Sequence, residues 1–142
     1  MSGLSAFLKE NAKDTENVKF VASKRFVDEK NKPVEWELRC ITAKEDDDLR
    51  ASCTRKVPVN GKRGQSLPET DITAYLGKLC AYCVVFPNLK DKDLQDSYGV
   101  MGDDALLKTM LKSGEYSELV TKIQEINGFD ITMEEKVEEA KN

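Results

Sequence analysis

No histidine occurs in this 142-residue chain. That removes the commonest general base, the Ser–His and Cys–His nucleophile pairs, and most zinc sites. No apolar stretch approaches the roughly 20 residues of a membrane-spanning helix. The longest, Ala81 to Phe86, is short and stops at Pro87. The N-terminal MSGLSAFLKENAKD lacks a charged segment followed by an apolar run, so no secretory signal is expected. An excess of positive charge is missing too. The 26 acidic and 22 basic residues leave a net charge of −4, whereas a general nucleic-acid binder is basic overall.

What is present fits one folded domain. The length suffices to bury a core without metals or disulfides, and 39% hydrophobic against 34% charged residues points to a folded body with solvated ends. The domain is expected over residues 1–130, with 131–142 an acidic segment that is either a frayed helix, started by a second capping box at Thr132-Met133-Glu134-Glu135, or a mobile tail. Cys40, Cys53, Cys80 and Cys83 are expected as reduced thiols packed as small hydrophobes in an intracellular protein.

Periodicity sets the order of elements. A short helix is predicted over 5–12 and a polar linker over 13–17. The β-branched and aromatic content of 18–27 predicts a strand with Val18, Phe20 and Ala22 on one face. DEKNKP at 28–33 reads as a turn. Val34, Trp36, Leu38 and Cys40 then alternate with Glu35, Glu37 and Arg39, which buries one face of a second strand. Thr42-Ala43-Lys44-Glu45 has the spacing of a capping box and predicts a helix over 43–53. Residues 54–69, with two prolines, two glycines and four cations, read as a long irregular loop. Thr70 is the predicted cap of the strongest helix, striped by Ile72, Leu76, Leu79, Cys80, Cys83 and Val84 and stopped by Pro87. Helices over 91–98, 103–112 and 114–127 follow, the first and last closed by Gly99 and Gly128. Leu119, Val120, Ile123 and Ile126, with Tyr116, form the buried stripe of the last. The predicted class is α+β: an N-terminal β-hairpin (about 18–41) under four to five helices, with a mostly helical C-terminal half.

Candidate chemistry is sparse. Cys80-Ala81-Tyr82-Cys83 has CxxC spacing, but both thiols fall mid-helix in the apolar stripe, and no second pair exists for zinc. Gly61-Lys62-Arg63-Gly64 lacks the GxxxxGK[ST] of a phosphate loop. Asp46-Asp47-Asp48 lacks the alternation of a calcium loop and suits the first turns of a helix. No paired carboxylates, nucleophile–base pair or cofactor fingerprint is found, so neither an enzyme nor a cofactor is expected. Two groups remain as partner-binding candidates. Arg55, Lys56, Lys62 and Arg63 make a local basic patch, to be weighed against a merely solvated loop. Met101, Leu106 and Met110 can form an adaptable apolar surface, to be weighed against burial in the core.

Three segments carry a family resemblance: SAFLKENAKDTENVKFVASKRFVDEKNKPVEWELRCIT, LRASCTRKVPVNGKRGQ, and YLGKLCAYCVVFPNLKDKDLQDSYGVMGDDALLKTMLKSGEYSELVTKIQEINGFD. Together they span nearly the whole chain, and LQDSYGV, DALLKTML and IQEINGFD are the most specific. The chain resembles the XkdN-type tail assembly chaperones of Bacillus PBSX-like prophages and related phages. The resemblance implies a protein of the host cytoplasm that binds the tape measure protein, helps recruit tail-tube subunits and is absent from the virion. Self-association is also open. In many such phages a frameshift near the end of the gene yields a longer second product. No catalytic or ligand-binding residue carries over. The alternatives are a structural tail component and, ranked last, a nucleic-acid-binding regulator using the 54–64 segment.

Overall fold

The computed structural model describes residues 3–129, and the acidic segment expected as a tail lies outside them, as do the first two residues. Two small antiparallel sheets and five α-helices make up the described chain, an α+β fold with strands first and a helical C-terminal half.

The first sheet has three strands in the order β1 (Val18–Phe20), β2 (Trp36–Leu38) and β5 (Val84–Phe86). Val18 stands opposite Leu38 and Phe20 opposite Trp36. Trp36 and Leu38 are buried, as the alternation requires. The strands are shorter than the 18–27 and 34–41 predicted. The chain leaves the ladder after Phe20 to sink Ala22 and Ser23 inward, and only a Val27–Pro33 bridge resumes the pairing. The Asp28 carboxylate closes the turn by accepting from the amides of Lys30 and Lys32 at 2.8 and 3.0 Å.

Three helical predictions need adjusting. Asp71 caps α2 (Ile72–Cys83) by accepting from the Ala74 amide, because Thr70 is taken up by a strand. That helix ends at Cys83, not at Pro87, because Val84 crosses directly into β5 and pairs with Leu38. The N-terminal helix reduces to a 3-10 turn, Gly3–Phe7, with no buried residue. Elsewhere the boundaries agree to within two residues. They are α1 (Ala43–Ser52), capped by the Thr42–Glu45 box as predicted, α3 (Lys92–Ser97), α4 (Asp103–Met110) and α5 (Ser113–Ile126).

The core lies between the three-stranded sheet and helices α2, α4 and α5. Trp36, Leu38, Leu79, Cys80, Cys83, Leu106, Leu107, Leu119 and Ile123 are its most fully enclosed members. Each such aliphatic side chain contributes about 1.5–3 kcal/mol by leaving water. Helix α1 buries no residue completely. Polar contacts hold it against α2: Tyr75 bonds Asp46, Tyr82 bonds Glu45, and Arg50 stacks over Tyr75 with its guanidinium carbon 4.3 Å from the ring centre.

One ion pair ties the N-terminal excursion to the helices. Arg25 Nη2 donates to Glu115 Oε1 and to the Met110 carbonyl, both at 2.7 Å. Glu115 Oε1 also accepts from the Lys112 amide at 2.7 Å. The Arg25 guanidinium, then the Ser23 hydroxyl and that amide, hold the carboxyl down at about 2, from its ordinary 4.5. A depressed carboxyl contributes stability that is present above its unfolded pKa and lost as pH falls through the folded one. Glu115→Gln is therefore expected to melt below the wild type at neutral pH. Its deficit should shrink as pH falls from about 4.5 towards 2. Thermal melts across that range check this, and a deficit constant with pH would remove the ion pair as its cause.

Candidate partner-binding surface

Residues 54–69, expected as an irregular loop, form a two-stranded ribbon. Strand β3 (Thr54–Pro58) pairs antiparallel with β4 (Ser66–Thr70). The base is closed twice: the Thr54 and Thr70 hydroxyls meet at 2.7 Å, and the Asp71 amide donates to the Cys53 carbonyl at 2.8 Å. The tip turns through Asn60-Gly61-Lys62-Arg63-Gly64, with φ of +78° at Gly61 and +74° at Gly64, values that L side chains rarely adopt. Asn60-Gly61 is itself a hairpin signal and was the cue available in the sequence.

Register sorts the ribbon's side chains. Arg55 stands opposite Glu69 and Val57 opposite Leu67 on one face, and Lys56 stands opposite Pro68 on the other. No ribbon residue is buried, and Leu67 is 63% exposed. Arg55, Lys56, Lys62 and Arg63 are therefore all on the surface, carried by one arm, with Glu69 its single acid. At the base a shallow cleft of about 290 Å³ is lined by residues that include Arg55, Asp71 and Lys78.

The apolar candidates separate. Met101 is 92% exposed, whereas Leu106 and Met110 are core residues at 0% and 5%. A helix of eight residues presents one stripe inward, and Leu106, Leu107 and Met110 are that stripe in α4. The surface expected from Met101, Leu106 and Met110 thus reduces to Met101. It lies in the connection before α4, next to Gly102, whose φ of +101° turns the chain into the helix. Other exposed apolar side chains were not singled out from the sequence. Phe7 is 82% exposed in the N-terminal turn and Phe86 51% exposed in β5. An isolated exposed apolar residue gives no periodic signal to read.

The Cys80–Cys83 pair does not form a reactive site. Cys80 and Cys83 are fully enclosed, and burial pushes their thiols up to about 12 and 11. A reactive cysteine needs the opposite shift. Asp46, taken from the acidic run, is bound to Tyr75 and Arg50. Among the described residues no group of three or more acidic or thiol side chains could hold a metal ion. No described helix is long and apolar enough to cross a membrane. The larger cavity, about 380 Å³, lies between Phe20 of β1 and the Ser117–Glu125 side of α5.

Comparison with known proteins bears on the whole chain. The family model for the phage XkdN-like tail assembly chaperone protein matches residues 4–141. The phage-like element PBSX protein XkdN of Bacillus subtilis (strain 168) is 32% identical over 140 residues, which cover 98% of this chain and 93% of that protein. The protein YqbN of the same organism is 34% identical over the same shares of both chains. The crystal structure of YqbN superimposes with a TM-score of 0.77 at 29% identity, covering 92% of this chain and 99% of that one.

Proposed function

The chain belongs to the XkdN-like family of phage tail assembly chaperones, and from that membership we propose that it binds the tape measure protein while the tail is built. Tail assembly chaperoning is a non-enzymatic role. In this reading the chain works in the host cytoplasm without catalysis, meets the tail-tube protein as a second partner and leaves before the virion is complete. The observation that carries the proposal is the span of the family match, residues 4–141, which leaves almost none of the chain outside the family's own domain.

The surface supports it in kind. A client that is long and helical requires many weak contacts rather than one deep pocket. The exposed ribbon with four cations offers salt-sensitive contacts, and Met101 beyond it offers an adaptable apolar one.

Co-expression with the tape measure protein is the test. The client is expected to stay in the soluble fraction and to co-purify with the chain. Reversing the ribbon charges with R55E, K56E, K62E and R63E is expected to reduce recovery severalfold, and Met101→Asp to reduce it less. A client that gains no solubility and does not co-purify rejects the proposal. Recovery of the chain from purified particles by mass spectrometry would make it a structural tail component instead.

A further inference from the structure

We propose that one face of the ribbon, and neither of its edges, receives the partner, which lies on it as a single helix with an apolar stripe and acids towards both ends. A two-stranded sheet with no buried side chain is marginal in water, so covering one face stabilises it. The choice of a helix rests on the long helical client proposed above. The choice of face, and of acids to meet it, rests on the ribbon alone.

Hydrogen-bond alternation identifies what the edges present. The Asp71 amide donates to the Cys53 carbonyl at 2.8 Å, and the Val59 amide to the Gln65 carbonyl at 3.1 Å. In an antiparallel ladder every second pair is bonded in this way. The bonded pairs between those two are therefore Arg55–Glu69 and Val57–Leu67. Thr54, Lys56 and Pro58 of β3, like Ser66, Pro68 and Thr70 of β4, turn their backbone groups outward. Both prolines thus take outward positions, where a missing N–H removes no ladder bond. Each edge lacks one of its three outward donors, the middle one in β4, and β3 also carries the Lys56 charge. Proline and lysine at an outer edge keep a further strand from adding.

The two faces differ. Lys56 shares one with the prolines. The other has Arg55 and Glu69 at the base, Val57 and Leu67 at the centre and Val59 towards the tip, where Lys62 and Arg63 follow. Val57–Leu67 is the one ladder pair made of two aliphatic side chains. Ion pairs among the described residues involve Lys19, Arg25, Arg50, Lys92 and Lys122, and so none of Arg55, Lys62 and Arg63. An acidic partner complements them. Glu69 stands across from Arg55 and steers the acid at the base towards the β3 side. Spacing suits a helix. Val57 and Val59 are about 7 Å apart along the strand, and helix residues one turn apart are separated by about 6 Å. Arg55 lies about 14 Å from Val59, whose carbonyl accepts from the Lys62 amide at 3.2 Å. Acids about three helical turns apart therefore meet Arg55 and the tip cations together.

Amide NMR of the full-length chain, titrated with a synthetic helix, tests it. The probe is an alanine-rich peptide of about 20 residues, with leucines one turn apart at its centre and glutamates about three turns apart. Salt is held at about 0.15 M, where charges act over ~8 Å and the two faces are read separately. Shifts are expected to centre on residues 55–69. Leu67→Ser is expected to weaken binding about tenfold and Arg55→Gln about threefold, whereas Lys56→Gln, on the other face, changes it by less than about twofold. Pro68→Thr restores the outward donor and is expected to leave the affinity unchanged. Equal losses from Arg55→Gln and Lys56→Gln, a gain from Pro68→Thr, or no ribbon shift at about 1 mM peptide would each overturn the docking. So would equal binding of a peptide with lysines in place of the glutamates. Ribbon shifts that follow the concentration of the chain alone would give the face to a second copy and overturn the helix. Co-expression keeps the two readings apart. Recovery of the client by L67S as by wild type sinks the docking and leaves the client reading standing, and peptide binding without client recovery does the reverse.

Discussion

Trp36→Ala is expected to lower stability by about 3–5 kcal/mol, the range for emptying a buried aromatic site. Trp36 is 1% exposed in the central strand of the three-stranded sheet. Its cross-strand partner is Phe20, and the Phe26 ring packs at 6.2 Å between centroids, tilted by 40°. Strand β2 is flanked on both sides, so it cannot shift to fill the space without breaking one of two ladders. A domain of this size is stable by about 5–15 kcal/mol in all, so the loss takes a large share of it. The melting temperature should drop by about 10–15 °C. Circular dichroism reads the transition in both proteins, since the variant has lost the only tryptophan. A drop under about 3 °C would mean that the sheet is not the centre of the core.

Leu106→Ala carries the second large expectation, about 2–5 kcal/mol. Leu106 is 0% exposed and lies with Leu107 and Met110 on the inner stripe of α4, packed with α2. Met101 supplies the matched comparison. It is 92% exposed, so Met101→Ala should change stability by no more than about 0.5 kcal/mol. Chemical denaturation of the two variants separates them. Equal losses would undo the assignment of Leu106 to the core and of Met101 to the surface.

Those two residues also mark what the sequence could and could not tell. Leu106 and Met101 have similar hydrophobicity and stand five residues apart. The stripe Leu106, Leu107, Met110 has helical spacing and was legible as a core face. In the fold that stripe faces the core, because a helix this short has only one apolar stripe to bury. Alternation in Val34–Cys40 located β2, and the Thr42–Glu45 spacing located the start of α1, because both signals are local. Strand β5 was hidden for a physical reason. Val84-Val85-Phe86 continues an apolar helix without a break, and a short apolar run does not distinguish helix from strand. The ribbon was hidden for the opposite reason. It buries neither face, so no alternation marks it, and only its Asn60-Gly61 turn hinted at pairing. The whole-chain resemblance depended on none of these details, which is why the family was readable while the partner surface was not.

The direct passage from α2 into β5 bears on how the chain is made. The outer strand that completes the sheet is residues 84–86, nearly fifty positions after its neighbour at 36–38. While the ribosome has released only the N-terminal half, Trp36 and Leu38 have no β5 beside them and no α2 to cover them. Synthesis at about 5–20 residues per second leaves that apolar edge bare for seconds. A protein grouped with assembly chaperones thus passes through a brief stage in which its own hairpin needs shielding.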